Sequence, residues 1–362
     1  MALFSFRSLF ESRLLLFGVL LALMGSCDAR GGRNDRGSNA NCVVDTEGLT
    51  KGAERGAIEA LTNPPILDAD EVGKLQDSDR VIGLLAGETP LAVPIRLLQA
   101  HEIVNLDHWL DDPIAITHCP LTTSSLAFDR GAISGAEFEV SGLLLHNNLV
   151  MVNAQTNESL WPQMLRSPIC GSASGALEMV PILDLRWGHW RKLHPNTKVL
   201  PVSMNSESSS ASRRTVSRSV GHNASTGSGE QSPSGLVLGI PNASLGGVQK
   251  ASEGTAIAIP FRTLDDGREA RVVEVSGDEG PVVFWHRGAR AAMAFDTSTS
   301  FSVNENGRFV DDATGSVWTL DGRAVEGPRR GERLSPVATA YVAAWSAWSD
   351  FHPDTEVWKG ES

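Results

Sequence analysis

The side chains of this sequence that are best suited to chemistry are three histidines, a cysteine and a glutamate in the first half of the chain. They are His101, Glu102, His118, Cys119 and His146. Imidazole and thiolate groups are ligands that zinc, copper and iron accept in proteins. A site formed by His101, His118, Cys119 and His146 could therefore hold one transition-metal ion, although the spacing matches no recognised metal motif.

Two other interpretations of these residues stay open. In one, Cys119 is a catalytic nucleophile with His101 or His118 as its base and Glu102 as a further candidate, although no nucleophile elbow accompanies them. In the other, Cys119 and Cys170 form a disulfide, as an oxidising compartment permits, and the histidines line a polar cleft. The sequence alone does not choose between metal site, enzyme and disulfide.

Two blocks of the chain, 56–201 and 236–360, are interpreted as copies of one unit. The clearest match aligns Trp187–Thr197 with Trp345–Thr355, which share five of eleven residues. Shorter matches occur in the same order in both blocks: Ala92–Arg96 with Ala258–Arg262, Pro113–His118 with Pro281–His286, Ala127–Asp129 with Ala294–Asp296, and Ser159–Trp161 with Ser316–Trp318. We expect a unit duplicated in tandem, with its copies packed about a pseudo-twofold axis.

Duplication supplies an internal control on function, because residues common to both copies are expected to be structural. The tryptophans of the long match belong to this class, and we interpret them as core anchors: Trp187, Trp190, Trp345 and Trp348. Polar residues found in one copy are better functional candidates. His101, Glu102 and His146 have no counterpart in the second copy, Cys119 aligns with Arg287, and His118 alone is matched, by His286. A ligand- or metal-binding cleft is therefore expected in the first copy, near its junction with the second.

The elements that would position these residues are mostly short strands. Apolar runs at Asp79–Leu85 and Leu91–Ile95 surround a Gly-Glu-Thr turn and predict a hairpin. Helical spacing predicts one helix over Arg96–Val104 and a second over Asp184–Leu193, which ends before Pro195. Further strand-like runs separated by turn residues make each copy a β-rich α+β unit with short helices.

Nine short segments of the sequence together resemble a known family. They are Val81–Gly83, Val93–Arg96, His101–Asn105, Thr117–Leu121, Phe128–Arg130, Val140–Leu144, Glu158–Trp161, Asp311–Trp318 and Trp345–Thr355. In this order they are similar to the bacterial and archaeal family called domain of unknown function 3179, most strongly over 60–201 and further through 236–358. The resemblance implies an exported setting and no particular reaction, and it supports Glu102 and Cys119 as site candidates.

The first 27 residues have the pattern of an export signal. Arg7 and Arg13 precede an apolar run from Leu14 to Met24, which is shorter than a membrane span. The run leads into Gly25-Ser26-Cys27, which is similar to a lipoprotein cleavage site, so Cys27 is expected to carry a lipid. Residues 28–55 would then form a flexible tether, in which we expect Cys42 to be an unpaired thiol.

Composition narrows the classes of function. The chain has 362 residues and a net charge of −12, which disfavours nucleic-acid binding. Residues 202–235 are rich in serine and are expected to link the two copies. The sequence thus predicts an extracytoplasmic, lipid-anchored protein of the cell envelope. Its function would be ligand or metal binding, with zinc, copper or iron as candidate ions; a cysteine- and histidine-dependent enzyme and a structural or interaction protein are the alternatives.

Overall fold

Short strands arranged in six sheets are the main regular structure in the part of the molecule that the computed structural model describes. The described residues are 42, 48–72, 75–85, 89–109, 112–155, 159–202, 235–241, 255–275 and 280–360. The predicted signal peptide with Cys27, nearly all of the predicted tether up to position 47, and most of the predicted serine-rich linker lie outside them. No helix among the described residues is long and apolar enough to cross a membrane.

The first half contains fourteen strands and two α-helices among the described residues. The strands are β1 (Leu49–Lys51), β2 (Leu61–Thr62), β3 (Leu67–Asp68), β4 (Arg80–Leu84), β5 (Leu91–Pro94), β6 (Ile103–Leu106), β7 (Ile114–Cys119), β8 (Ser124–Asp129), β9 (Phe138–Leu145), β10 (Asn148–Asn153), β11 (Leu160–Pro162), β12 (Met179–Val180), β13 (Ile182–Arg186) and β14 (Lys198–Val199). The helices are α1 (Ile95–His101) and α2 (Trp187–Leu193), with a 3₁₀ turn at Gly131–Ile133.

The described part of the second half contains twelve strands and two helices. The strands are β15 (Leu236–Ile240), β16 (Ile257–Pro260), β17 (Ala270–Glu274), β18 (Val282–His286), β19 (Ala291–Asp296), β20 (Phe301–Val303), β21 (Phe309–Asp311), β22 (Val317–Trp318), β23 (Ala324–Glu326), β24 (Ser335–Pro336), β25 (Tyr341–Ala344) and β26 (Glu356–Val357). The helices are α3 (Phe261–Leu264) and α4 (Trp345–Phe351). The predicted β-rich α+β class with short helices is confirmed.

The strands pair in similar orders in the two halves. One sheet of the first half has the order β13-β4-β5-β14-β3, and one of the second has the order β25-β15-β16-β26. In both, the first three strands are antiparallel and the fourth is parallel to the third. The other sheets are β12-β8-β7-β6-β2 and β1-β9-β10-β11 in the first half, and β17-β18-β19-β24 and β20-β21-β22-β23 in the second.

The tryptophan-rich motif forms the same packing unit twice. The Trp190 indole lies over Gly83 of β4, and the Trp348 indole lies over Gly239 of β15, where only a residue without a side chain fits. Both indoles are fully buried. Their N–H groups donate to Thr197 Oγ1 at 2.8 Å and to Thr355 Oγ1 at 2.9 Å, seven residues further on. Trp190 and Trp348 are core anchors, as expected, and Trp187 is also buried, whereas Trp345 is only partly buried.

Both predicted helices are shorter than the sequence pattern indicated. Helix α1 ends at His101, because Glu102 has a φ of 58° and Ile103 begins a strand. Val104 therefore pairs with Ile116 of β7 and does not extend the helix. Asp184 likewise belongs to β13, opposite Ile82 of β4, and α2 begins at Trp187. In both places strand pairing overrides the helical spacing of apolar residues.

The two halves share their hydrophobic cores. One cluster joins Phe128 and Trp161 of the first half to Tyr341 and Trp348 of the second. Another joins Trp190 of the first half to residues of β18 and β19. Each half also has a cluster of its own. The sheet that carries the tryptophan motif in one half therefore packs against sheets of the other.

Candidate metal centre

Three side chains that could bind one metal ion meet at the contact between the two halves. His189 comes from α2, Glu269 directly precedes β17, and His286 is the last residue of β18. One ligand atom from each lies within 4.8 Å of the other two. His189 therefore comes from the first half, and Glu269 and His286 come from the second.

Backbone hydrogen bonds fix the elements that carry these side chains. At the end of β13, Arg186 donates its backbone N–H to the carbonyl of Ala289 at 3.1 Å and its side-chain Nη1 to the carbonyl of Gly288 at 3.1 Å. These bonds hold the start of α2 against the β18–β19 turn. Arg287 in the same turn donates its N–H to the Glu269 carbonyl at 2.8 Å. The backbone near all three candidate ligands is thus tied to one turn.

The side chains approach one another closely. His286 Nδ1 lies 3.6 Å from Glu269 Oε1, and the imidazole rings of His189 and His286 have centroids 4.9 Å apart. The absence of a side chain at Gly288 leaves the space between two of the ligands open. A methyl group there would lie 2.5 Å from Glu269 Oε1 and 3.0 Å from His189 Nε2. Gly288 thus borders the position where an ion would bind.

Burial and neighbouring charges lower the pKa of both imidazoles and so favour their neutral forms. Burial lowers the pKa of His189, and the neighbouring His286 and Lys192 lower it further. Burial also lowers the pKa of His286, against the opposing effect of the Glu269 carboxylate. A neutral imidazole offers a nitrogen lone pair to a metal, which a protonated one does not. The Glu269 carboxylate, whose side chain is 58% exposed, faces solvent.

Two imidazoles and one carboxylate form a ligand set that suits zinc, iron(II) and related divalent ions. Three protein ligands leave at least one coordination position for water or another molecule. An ion held in this way can polarise a bound oxygen or lower the pKa of a bound water. The arrangement therefore has the composition of an open metal centre.

A pocket of about 590 Å³ adjoins this cluster, because its lining includes Glu269 of the cluster and Gly288, which borders it. Its charged lining consists of four arginines and two carboxylates: Arg186, Arg262, Arg287, Arg290, Asp265 and Glu269. Its apolar lining includes Phe261 and Trp285, whose rings are in edge contact at 5.0 Å. The pocket is lined mainly by the second half, with Arg186 contributed by the first.

The histidines predicted from sequence have separate surroundings. His101 Nδ1 lies 2.8 Å from the Glu59 carbonyl, and His118 Nδ1 lies 2.9 Å from Ser125 Oγ. His146 is exposed and in edge contact with Phe351. His118 and Cys119 are neighbours on β7, so their side chains point to opposite faces of the sheet. Among the described residues, His101, His118, Cys119 and His146 do not form a metal-sized cluster.

Cys119 is a free, buried thiol. Its Sγ donates weakly to the Asn147 carbonyl at 3.5 Å. Burial raises the pKa of the thiol, and the nearby Glu102 carboxylate raises it further. The thiol is therefore protonated at neutral pH, which is unfavourable for a nucleophile. A catalytic role for Cys119 with His101 and Glu102 stays a prediction.

The disulfide of the structure joins Cys42 to Cys170, so the predicted Cys119–Cys170 bond is wrong. The expectation that Cys42 is unpaired is also wrong. Cys42 and Cys170 are paired across a β-bridge, which brings their side chains together, whereas Cys119 points into the core beside Asn147. The bond attaches the segment before β1 to the loop after β11.

Sequence comparison between the two halves does not single out this cluster. His286 matches His118, so it is common to both halves, and His189 lies inside the tryptophan motif. One signal was available: the second copy of that motif has Ala347 where the first has His189. Glu269 carries no motif, so its part in the site follows from the fold alone.

Comparison with known proteins identifies a family for this chain. Neither the curated proteins nor the solved structures include a match to the chain. A family model matches residues 55–355, which span both halves and include all three candidate ligands. The chain therefore belongs to the family described as protein of unknown function (DUF3179).

Proposed function

We propose that this chain is an exported protein that binds a divalent transition-metal ion at the contact between its two halves. The observation that carries the proposal is the convergence of His189, Glu269 and His286 within 4.8 Å. The sequence predicts a metal-binding cleft in the first copy, near its junction with the second. The proposed site lies at this junction but has different ligands, which come from both halves.

The surroundings of the cluster favour metal binding over a coincidental contact. Two imidazoles whose pKa values are lowered face one carboxylate. His189 and His286 belong to different halves, and hydrogen bonds from Arg186 to the β18–β19 turn hold them near each other. Preorganisation of this kind lowers the cost of bringing three ligands around one ion.

Export and lipid attachment are part of the proposal. The Cys42–Cys170 disulfide supports export, because such bonds persist mainly in oxidising compartments. The basic and apolar start of the chain, followed by Cys27, supports cleavage and lipidation at that residue. Cys42 lies fifteen positions after Cys27, so the disulfide would hold the domain close to the membrane.

We also propose that the metal site arose within a duplicated unit with pseudo-twofold symmetry. Reciprocal contacts support this: Arg186 N–H bonds to the Ala289 carbonyl at 3.1 Å, and Ala344 N–H bonds to the Thr122 carbonyl at 2.8 Å. In each case the residue before the tryptophan helix of one half bonds to a hairpin turn of the other. Ala347 occupies the place of His189 in the second copy, so the pseudo-equivalent position lacks one ligand.

Metal analysis of the purified protein tests the function. We expect about one zinc ion per chain by calorimetric titration with Zn²⁺ and by elemental analysis after dialysis. His189→Ala, Glu269→Gln and His286→Ala should each weaken zinc binding at least tenfold. His108→Ala is the matched control, because it removes an exposed imidazole outside the cluster.

Two outcomes would overturn the metal site. One is the absence of stoichiometric zinc, cobalt, manganese or iron binding by the folded protein. The other is metal binding that all three substitutions leave unchanged. Mass spectrometry of the mature N-terminus tests lipid attachment independently, with Cys27→Ser as the variant expected to lose the lipid.

A further inference from the structure

We propose that the arginine-lined pocket beside the metal centre binds a small organic anion, a carboxylate or a phosphate ester, whose charged group lies between the arginines and the ion. The inference rests on the proposed metal site and names the class of molecule that would occupy its open position. A bound organic anion would account for the arginines and apolar residues of the pocket, which the metal ion alone does not explain.

The charge of the pocket selects an anion. Four arginines against two carboxylates give the pocket a net positive charge, although the whole chain carries −12. A divalent ion on Glu269 would add to this positive potential. A positive cleft in an acidic protein concentrates small anions and orients them on entry.

Hydrogen bonds hold two of the arginines in place. Arg287 Nε pairs with Asp265 Oδ1 at 3.0 Å, and its Nη1 donates to the Gly267 carbonyl at 3.2 Å. Arg186 Nη1 donates to the Gly288 carbonyl at 3.1 Å. A guanidinium has five N–H groups, so a group fixed by one or two of these bonds can still donate to a ligand. Fixed guanidinium groups bind carboxylate and phosphate well, because both have oxygens at matching spacing.

The apolar wall indicates an organic molecule more than an inorganic ion. Leu236, Phe261 and Trp285 form the larger apolar part of the pocket lining. The volume of about 590 Å³ lies within the range of roughly 300–1,000 Å³ that is usual for small-molecule sites. A ligand with one anionic group and one apolar or aromatic part would satisfy both surfaces.

The shared lining places the anion at the metal. Glu269 belongs to both the cluster and the pocket, and Gly288, which has no side chain, lies beside both. A carboxylate or phosphate could therefore accept hydrogen bonds from arginine on one side and occupy the open coordination position on the other. Replacement of a metal-bound water by such an oxygen is ordinary chemistry for a three-ligand centre.

Calorimetric titration of the full chain tests the inference, with phenyl phosphate, benzoate and inorganic phosphate as probes. Zinc is titrated first, so that failure of the metal site is recognised before any anion is added. On the zinc-loaded protein we expect phenyl phosphate or benzoate to bind at least tenfold more tightly than inorganic phosphate. The comparison of the two aromatic probes identifies the preferred anionic group.

Variants separate the parts of the site. Arg287→Gln and Arg290→Gln should each weaken binding of the preferred probe at least fivefold, while both variants still bind stoichiometric zinc. Arg96→Gln is the matched control, because Arg96 occupies the place of Arg262 in the first half and is exposed outside the pocket. Removal of zinc from the wild-type protein should also weaken anion binding at least fivefold.

The outcomes distinguish this inference from the metal proposal. If zinc binds but no probe binds, or if the arginine variants bind as the wild type does, the inference is wrong and the metal site stands. If anion binding needs the arginines but does not respond to bound zinc, the contact with the metal is wrong. If zinc itself does not bind, the proposed function fails, and arginine-dependent anion binding would then support the pocket alone.

Discussion

Gly288 controls how closely the ligands of the proposed metal centre can approach. Its position beside Glu269 and His189 makes it a more selective probe than the ligands themselves, because a substitution there removes no ligand atom. The neighbouring turn is fixed by bonds from Arg186 and Arg287, so the backbone has little freedom to retreat. At this scale, empty space is as important to the site as the side chains around it.

Gly288→Ala is expected to weaken zinc binding at least tenfold while the protein stays folded. The new methyl group would lie 2.5 Å from Glu269 Oε1, so the carboxylate must move away from the ion position. Zinc titration and circular dichroism measure the two effects. Gly131→Ala, in the 3₁₀ turn of the first half, is the control, and equal zinc affinity in both variants would contradict the role of Gly288.

Two buried histidines outside the site predict how stability depends on pH. Burial lowers the pKa of His118 and of His352 to about 4 in each case. Ser125 Oγ faces His118, while the Tyr341 hydroxyl and Arg166 face His352. Since an unfolded histidine has a pKa near 6.5, the unfolded chain binds more protons between about pH 6.5 and pH 4, and stability falls as pH falls through that range.

At pH 5 each of these histidines is expected to cost about 2 kcal/mol of unfolding free energy relative to pH 7. Urea unfolding at the two pH values measures the change. His118→Asn and His352→Asn should each reduce the difference between the two pH values, whatever they do to stability at pH 7. A difference that neither substitution reduces would assign the pH dependence to other groups.

Each half closes its mixed sheet with one helix that carries the tryptophan motif. The second tryptophan covers a strand glycine, and its indole N–H donates to a threonine. The ring of the following histidine lies against the indole, tilted by 46° in the first half and stacked at 24° in the second. This unit explains why the spacing of the motif is the same in both halves. In the first half this helix is α2, and it also carries His189 to the contact with the second half. The structural motif therefore positions a candidate ligand.

Gly83→Ala and Gly239→Ala are expected to destabilise the protein by about 2 kcal/mol or more, because the added methyl group would overlap a buried indole. Thermal and urea unfolding measure the loss. The two substitutions should have similar effects, since the packing is the same in both halves. A small effect at either position would mean that the indole can shift at low cost.

The sequence predicts those parts of the fold that depend on residues close together in the chain. It does not predict features that join distant residues. The hairpin of β4 and β5, the strand around His118 and the end of α2 before Pro195 follow from local patterns. Helix α1 was predicted too long, because the pairing of β6 with β7 outweighs helical spacing at Val104. The metal cluster joins residues from both halves of the chain, so local spacing carries no signal for it.

The disulfide links Cys42, which precedes β1, to Cys170 in the loop after β11. It closes a separation of 128 positions, so the chain-entropy model gives a stabilisation of roughly 4–5 kcal/mol. Reduction, or Cys42→Ser, should lower the unfolding midpoint, whereas Cys119→Ser should leave the response to reductant unchanged. Thiol titration of the denatured, unreduced protein should detect Cys119 and should not detect Cys42 or Cys170; a reactive Cys170 would contradict the bond.

For the whole molecule, the important feature is that neither half holds all of its core. Trp348 and Tyr341 of the second half lie in a cluster with Phe128 and Trp161 of the first, and Trp190 of the first lies in a cluster with strands of the second. A half separated from its partner would expose the face that the tryptophan helix and its sheet normally cover. The metal site has the same dependence, since it takes His189 from one half and Glu269 and His286 from the other.

We therefore expect the protein to unfold in one cooperative transition and the halves 56–201 and 236–360 to fold only together. Tryptophan fluorescence and far-ultraviolet circular dichroism should give the same thermal midpoint, because the two clusters shared by the halves are lost together. The two halves produced as separate chains should each lack cooperative unfolding, and mixing them should restore both the transition and zinc binding. A stable isolated half, or two separate transitions, would show that the hydrophobic cluster lying within one half is sufficient for that half to fold. Zinc binding would then remain the more sensitive measure of contact between the halves, since its ligands are divided between them.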